Sequence, residues 1–206
     1  MDRVIDRGYR GVEDFLPVRD FLSELRGLLP PGQSWDVRRW DGSNCHTVEI
    51  GLDAERTART HLWEHGGRIV AVAMAEGGTV VHPHVHPEWM HLFNEVVVWS
   101  ENAGRIAGDE ISHLLVWDQD AVARAVATER GYVETTTSEY FRAARFGEWP
   151  IAESVLPGGY ELRSVRNDPT DHQRVADIVN AAFGRTMHVE EDHRALVQNS
   201  PSYRAD

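Results

Sequence analysis

The chain has 206 residues, of which 41% are hydrophobic, enough for a packed core and too many for a generally disordered protein. The formal net charge is −12 and the longest basic run is Arg38-Arg39, which excludes a typical nucleic-acid binder. No stretch approaches the roughly 20 apolar residues of a membrane span, no apolar signal run opens the chain, and the single cysteine, Cys45, allows no intramolecular disulfide. We therefore expect a cytoplasmic protein with no membrane partner and a Cys45 thiol without a role.

The first 45 residues predict one strand followed by two helices. Residues 4–11 have the pattern of a short strand, and from Val12 the apolar residues recur at helical spacing. The helix ends before Leu29-Pro30-Pro31-Gly32, and a short second helix is predicted around Ser34–Trp40. The apolar face of the first helix comprises Phe15, Val18, Phe21, Leu22 and Leu25.

The middle of the chain predicts three strands in succession. Thr60–His65 and Arg68–Ala75 flank Gly66-Gly67, the signature of a two-residue hairpin turn. A third strand, Thr79–His86, follows. We expect these strands to form the antiparallel front of a sheet.

The next segments predict helix and strand in alternation. They are a helix at Glu88–Glu101, a buried strand at Ile111–Trp117, a helix at Ala121–Arg130 capped by Asp118 or Asp120 and ended by Gly131, and strands at Tyr132–Thr137 and Glu139–Arg145. The resulting order, βααβββαβαββ, predicts an α/β protein with a mixed sheet and a parallel crossover behind the antiparallel front.

Two segments resemble motifs of the GCN5-related N-acetyltransferase (GNAT) family. Residues 120–132 fit the last-helix pattern N-x-x-A-x-x-L-Y-E-x-x-G-F at Ala123, Val126, Glu129, Gly131 and Tyr132, with Asp120 replacing the asparagine. Residues 85–89, VHPEW, are similar to V-x-P-E-Y at the end of the family's fourth strand. The resemblance implies a GNAT-like acyl-CoA N-acyltransferase fold and acetyl-CoA as co-substrate.

In the family, the fourth strand diverges from its parallel neighbour, and its free backbone groups bind the pantetheine arm of acetyl-CoA. The resemblance places Val85 and His86 at these positions. Pro83, which has no backbone N–H, suits a strand whose pairing is incomplete. His91 is a third cofactor-binding candidate, as a donor near the pyrophosphate.

Several residues depart from the family's pattern. The family continues with R-x-x-G-x-G/A, where this chain has Met90, Phe93 and Glu95. A ring that blocks close approach and a carboxylate that repels phosphate therefore replace small residues that would admit the pyrophosphate. Ala127 occupies the position where the family often has a tyrosine that protonates the leaving thiolate. We expect weak or lost acetyl-CoA binding in a domain degraded for catalysis.

The chain also predicts an incomplete second domain. Gly159-Tyr160-Glu161-Leu162-Arg163 echoes Gly8-Tyr9-Arg10-Gly11-Val12, and a helix with apolar positions Val175, Ile178, Val179, Ala182 and Phe183 follows. This organisation predicts a GNAT-like domain over residues 1–147, a linker over 148–158 and the start of a second GNAT-like domain, a strand and two helices, over 159–206. The alternative is a chance similarity of strand–helix units. An exposed apolar helix face favours a homodimer.

Alternating histidines offer a rival site. His82, His84 and His86 would share one side of a strand, and imidazole ligates zinc, iron, nickel and copper. The competing interpretation is a solvated strand face with chance histidines, and we expect no metal cofactor. The tryptophans are predicted to pack in the core, with Trp35 and Trp40 as candidates for lining an acceptor pocket.

Three hypotheses follow. The first is an acetyl-CoA-dependent N-acetyltransferase that transfers the acetyl group directly to an unidentified small-molecule amine, with Glu95 and His86 as candidates for the base. The second is a non-catalytic GNAT-like lobe that associates with another domain or subunit. The third is a histidine-site metal-binding protein.

Overall fold

The computed structural model describes residues 3–30, 33–46, 54–76, 79–136 and 155–203. Its elements in chain order are β1 (Ile5–Gly8), α1 (Val12–Leu28), α2 (Val37–Cys45), α3 (Ala54–Ala58), β2 (Thr60–His65), β3 (Arg68–Glu76), β4 (Val80–Val85), a 3-10 helix (Pro87–Leu92), α4 (Phe93–Ile106), β5 (His113–Leu114), α5 (Ala121–Glu129), α6 (Pro169–Phe183) and α7 (Glu190–Asn199). No helix in the described ranges has the length and apolarity to cross a bilayer.

The five described strands form one mixed sheet in the order β1-β2-β3-β4-β5. β1, β2, β3 and β4 pair antiparallel in succession, whereas β4 pairs parallel with β5. The connection from β4 to β5 runs through α4, as a parallel crossover requires. The predicted α/β class with an antiparallel front and a parallel crossover is confirmed.

The β2–β3 hairpin closes through two glycines, as the sequence predicts. Gly66 and Gly67 have φ values of 58° and 78°. A two-residue turn with positive φ at both positions matches the twist of the strands, and glycine adopts it without steric cost. This turn sets the pairs His65↔Arg68 and Glu64↔Ile69, and a register shift between Glu64 and Trp63 then aligns Trp63 with Ala71.

The sheet separates two hydrophobic cores. α1 and α2 cover one face, where their apolar residues pack on Leu62, Val72 and Met74. α4 and α5 cover the other face, where they pack on Trp63, Ala71 and Val85. We call these the α1 core and the α4 core. Because successive strand residues alternate between faces, the side chains of β4 point alternately toward the α1 core and the α4 core.

Two predicted strands differ from the structure. β5 spans His113–Leu114 only, whereas the sequence predicts Ile111–Trp117. Residues 132–136 form no strand: Gly131 ends α5 at φ 82°, and Val133 is 84% exposed without a neighbouring strand in the described ranges to pair with. The predicted strand at Glu139–Arg145 and most of the predicted linker lie outside the described residues.

The segment after residue 155 forms the two predicted helices but not the predicted strand. Residues 159–163 have no strand assignment, because no strand in the described part of the chain lies beside them. α6 packs on α7, and α7 packs on α2. The segment therefore packs on α2 through α7.

Candidate functional site

The parallel pair β4–β5 separates soon after it begins. The amide of His113 donates to the Thr79 carbonyl at 3.0 Å, and the amide of Leu115 donates to the Val81 carbonyl at 3.3 Å. The register ends at Val81↔Leu114, although β4 continues to Val85. As predicted for diverging strands, the pairing ends early, and the second half of β4 has no strand partner on its β5 side in the described ranges. We call this unpaired edge the split.

Strand geometry decides which backbone groups face this split. Backbone groups alternate along a strand, and those of Thr79 and Val81 point toward β5. Pro83 and Val85 follow on the same side, whereas His86 uses its amide to donate to the Val70 carbonyl of β3 at 2.9 Å. Pro83 has no N–H, so Val85 supplies the amide donor to the split. Of the two predicted backbone contacts, Val85 fits and His86 does not.

The start of α4 lies beyond the end of β4. α4 continues directly from the 3-10 helix, so the amide of Phe93 donates to the Met90 carbonyl, and Leu92 makes no side-chain capping bond. Phe93, the first residue of α4, is 4% exposed and packs into the α4 core. The expectation that its ring obstructs the loop is therefore wrong, because the ring is turned into the core.

Glu95 occupies the third position of α4 and is exposed. Its Oε1 accepts a hydrogen bond of 2.7 Å from Nε1 of Trp63, a side chain that is 1% exposed. A buried indole N–H needs an acceptor, so this contact fixes the carboxylate at the N-terminus of α4. Local sequence patterns do not reveal this hydrogen bond, because Trp63 and Glu95 are distant in the chain.

His91 lies apart from the other histidines. It is exposed, and its ring centroid lies 5.6 Å from that of Trp89, a residue packed against the α4 core. The β4 histidines face the α1 core instead, so the structure does not bring His91 and His84 together.

His82, His84 and His86 share one face of the sheet, as predicted. His82 lies beside Met74 and His84 beside Val72, both residues of the α1 core. The three histidines are 4–8% exposed, so the interpretation of a solvated strand face is wrong. α1 and the α1–α2 connection cover this face, whereas the alternation of residues alone does not reveal which face is covered.

Trp35, in the connection between α1 and α2, packs over this pair of imidazoles. Its ring centroid lies 5.2 Å from His82 and 6.3 Å from His84. Burial, and then the neighbouring His82, lower the pKa of His84 to about 3, so the ring is neutral at pH 7. Nε1 of Trp35 and Nε2 of His84 are buried and have no hydrogen-bond partner within the described ranges.

His86 is held by its surroundings. Its Nδ1 accepts the Glu88 amide at 3.3 Å, which leaves Nε2 as the protonated nitrogen of the neutral ring. Nε2 lies 3.8 Å from the Glu24 carboxylate, which also binds Arg68. Glu95 lies on the α4 side of the sheet, so the two candidates for the base do not meet, and their catalytic roles remain predictions.

The remaining candidates are structural. Trp40 is 1% exposed and donates its indole N–H to the Phe15 carbonyl at 3.1 Å, so it packs in the core and not in a pocket. Cys45 is fully buried, and burial, with a smaller effect of Asp41, raises its thiol pKa to about 12. In the described residues, no three histidine, cysteine or carboxylate side chains gather to hold a metal ion. The metal hypothesis therefore has no site in this part of the chain.

No protein-family profile and no curated protein sequence matches the chain. Among solved structures, it is similar to AAC(6')-Iy in complex with the bisubstrate analogue CoA-S-monomethyl-acetylneamine, with 16% identity, a TM-score of 0.45, and coverage of 69% of this chain and 99% of that one. A structure of aminoglycoside N-acetyltransferase AAC(6')-Iy in complex with CoA has 16% sequence identity and a TM-score of 0.46, with coverage of 69% of this chain and 96% of that one. The aminoglycoside antibiotic 6'-N-acetyltransferase AAC(6')-Ih from Acinetobacter baumannii has 15% sequence identity and a TM-score of 0.44, with coverage of 69% of this chain and 99% of that one.

Proposed function

We propose that this chain binds acetyl-CoA in the split between β4 and β5 and transfers the acetyl group to a small-molecule amine. The observation that carries the proposal is the early end of the β4–β5 ladder at Val81↔Leu114. A strand edge without a neighbouring strand has free backbone N–H and C=O groups. An extended polar ligand can bind these groups, as a peptide does when it adds a strand to a sheet. The pantetheine arm, with its two amides, has this character.

Val85 has the central role in the proposed chemistry. Its amide faces the split and would donate to the thioester carbonyl, where negative charge develops as the amine attacks. In that step a C–N bond forms, the C–S bond breaks and the thiolate leaves. The amine loses its proton to solvent or to a base, for which Glu95 and His86 remain the candidates.

We place the acceptor on the α1 side of β4, near Trp35 and His84. Both residues carry a buried polar nitrogen without a partner in the described ranges, and such groups are costly unless a ligand or water satisfies them. An acceptor that brings a hydroxyl or carbonyl oxygen to Trp35 Nε1 would meet this need. His84 is neutral at pH 7, so it would orient the amine and not attract it by charge.

The expected affinity is low. A pyrophosphate that approaches the first turn of α4 would meet the Glu95 carboxylate, which opposes binding, and the 3-10 helix before α4 already provides a backbone acceptor for the Phe93 amide. Trp63 holds that carboxylate in place. We therefore propose a weak acetyl-CoA site that needs millimolar ligand to fill.

A pair of substitutions at Val85 tests the proposal. Val85→Pro removes the amide donor while leaving the β3 side of the strand intact, because the Val85 amide faces away from β3. Val85→Ala keeps the amide and trims the side chain. Calorimetric titration with acetyl-CoA should show at least about a fivefold loss for the proline variant, the value of one hydrogen bond near 1 kcal/mol, and a smaller change for the alanine variant. Equal affinities for the two variants would refute the proposed contact.

Turnover is tested by release of CoA thiol from acetyl-CoA in the presence of a panel of amines. The proposal expects at least one primary amine to raise the rate of thiol release above the rate of hydrolysis, and Val85→Pro to abolish the increase. If no amine in the panel raises the rate of thiol release although the chain binds acetyl-CoA, the result would favour the hypothesis of a non-catalytic GNAT-like lobe.

A further inference from the structure

The chain contains the same ion-pair arrangement twice. In the first domain, the Arg7 guanidinium binds the Asp14 carboxylate through two bonds of 2.6 and 2.8 Å, and the same carboxylate accepts the Arg10 amide at 2.7 Å. Near the end of the chain, Arg163 binds Asp171 at 2.5 and 2.8 Å. We call these the first and second Arg–Asp clamps.

The second clamp repeats the details of the first. Asp171 accepts the Arg166 amide at 2.9 Å, as Asp14 accepts that of Arg10. Arg163 also donates to the carbonyl of the next residue, Ser164, as Arg7 does to its own neighbour. Hydrogen bonds from Arg163 and then from the Arg166 amide lower the pKa of Asp171 well below its usual range. Each clamp ties an extended segment to the first turn of the following helix.

The clamps fix the alignment of the two segments. Arg7 corresponds to Arg163 and Asp14 to Asp171, with one extra residue between arginine and aspartate in the second clamp (a separation of 8 instead of 7). This alignment differs from the one that the Gly-Tyr echo predicts. With the aspartates superposed, the α1 positions Val18, Phe21, Leu22 and Leu25 correspond to Val175, Ile178, Val179 and Ala182 of α6. Each of these positions is apolar in both helices.

Corresponding positions differ in their burial. The four α1 residues are 0–4% exposed because the strands of the first sheet cover them. In α6, Ile178 is 67% exposed, Ala182 is exposed, and Val175 and Val179 are half-buried. The buried residues of α6 are Asp171, His172 and Ala176, and Val175 and Val179 lie beside His172 and Ala176 on the helix, whereas Ile178 lies farther round. We call the four apolar residues the α6 face.

Docking of α7 leaves Ile178 and Ala182 of the α6 face exposed. Ala195 is buried in α7, and Leu196 packs against the α1 core. After α7, the Ser200 hydroxyl and the Ser202 amide donate to Asp41 of α2 at 3.2 and 3.1 Å. These contacts attach the segment to the first domain without covering Ile178.

Charge indicates what the α6 face binds. Arg7 has a second carboxylate partner, Glu64 of β2, at 2.5 Å, which joins the clamp to the neighbouring strand. Arg163 is bonded to Asp171, and no strand in the described part of the chain brings it a second carboxylate. We propose that residues 160–183 form a docking surface for an antiparallel β-hairpin whose first strand carries a carboxylate opposite Arg163 and whose inner face is apolar. This inference does not depend on acetyl transfer.

The chain's own hairpin provides a probe, because β2–β3 is the hairpin that covers the equivalent face of α1. A fluorescein-labelled peptide of residues 59–76 is titrated with the full-length chain and followed by anisotropy, beside a Glu64→Gln peptide. The chain variants are Ile178→Glu, on the α6 face, and Gln173→Glu, which adds the same charge on the opposite side of α6. Both positions are exposed, so both variants should fold like the unmodified chain.

We expect the peptide to bind the unmodified chain and the Gln173→Glu variant equally. Ile178→Glu should weaken binding by about tenfold or more, because the hairpin would bury a charge, and the Glu64→Gln peptide should bind less tightly. Absence of binding, or equal losses for the two chain variants, would overturn the proposal. Sedimentation of the chain alone tests for a second copy on the α6 face. A dimer that Ile178→Glu dissociates would show that a second copy occupies this face, and would also overturn the proposal.

Discussion

Glu95→Gln should increase the affinity of the chain for CoA. Gln keeps the oxygen that accepts the Trp63 indole N–H, so the buried tryptophan retains its partner and the negative charge alone is removed. Glu95 is exposed, so the dielectric constant of water applies to its repulsion of a phosphate. For two unit charges about 4 Å apart this repulsion is about 1 kcal/mol. A gain of about fivefold in affinity follows.

Calorimetric titration with CoA at low and high salt measures this gain. The improvement should shrink in high salt, because screening weakens interactions between exposed charges. Glu129→Gln, an exposed position on α5, is the matched control and should leave the affinity unchanged. An unchanged or lower affinity of Glu95→Gln at low salt would refute the reasoning that this carboxylate opposes the pyrophosphate.

Three further outcomes follow from packing and titration. Phe93→Ala should lower the free energy of unfolding by about 3–5 kcal/mol in urea denaturation, because the ring is buried; a gain in CoA affinity without this loss would restore the obstruction hypothesis. His84 has a pKa of about 3 in the folded chain, so the unfolded chain binds its proton more readily and the free energy of unfolding should fall as pH drops below 6.5. His84→Leu should reduce this pH dependence. Burial and then His172 lower the pKa of His193, so the free energy of opening of α7 should fall below pH 6.5; amide exchange, corrected for its slower intrinsic rate at low pH, measures it. An opening free energy that does not change with pH would contradict this.

Local rules predicted much of the fold. Gly66-Gly67 predicted a turn that requires two positive φ values, and Asp120 caps α5 by accepting the Ala123 amide at 2.9 Å. These features depend on a few neighbouring residues, so the sequence specifies them. The length of β5 depends instead on how far Leu114 can follow β4, which distant residues decide.

The site was less predictable for the same reason. Alternation placed His82 and His84 on one face, but the burial of that face depends on Trp35, which arrives from the α1–α2 connection. Periodicity did not show that Phe93 turns into the core while Glu95 stays at the surface beside Trp63. Divergence of β4 from β5 was predicted by resemblance, and Pro83 was its one local sign.

Amide hydrogen exchange at Val85, with and without acetyl-CoA, tests the central claim most directly. The claim is that the split between β4 and β5 binds the thioester arm through this amide. Saturating acetyl-CoA should slow exchange of the Val85 amide by about tenfold or more, while the amide of Leu62 in β2, within the antiparallel front, should be unchanged. Unaltered exchange at Val85 in the presence of demonstrable acetyl-CoA binding would contradict the account.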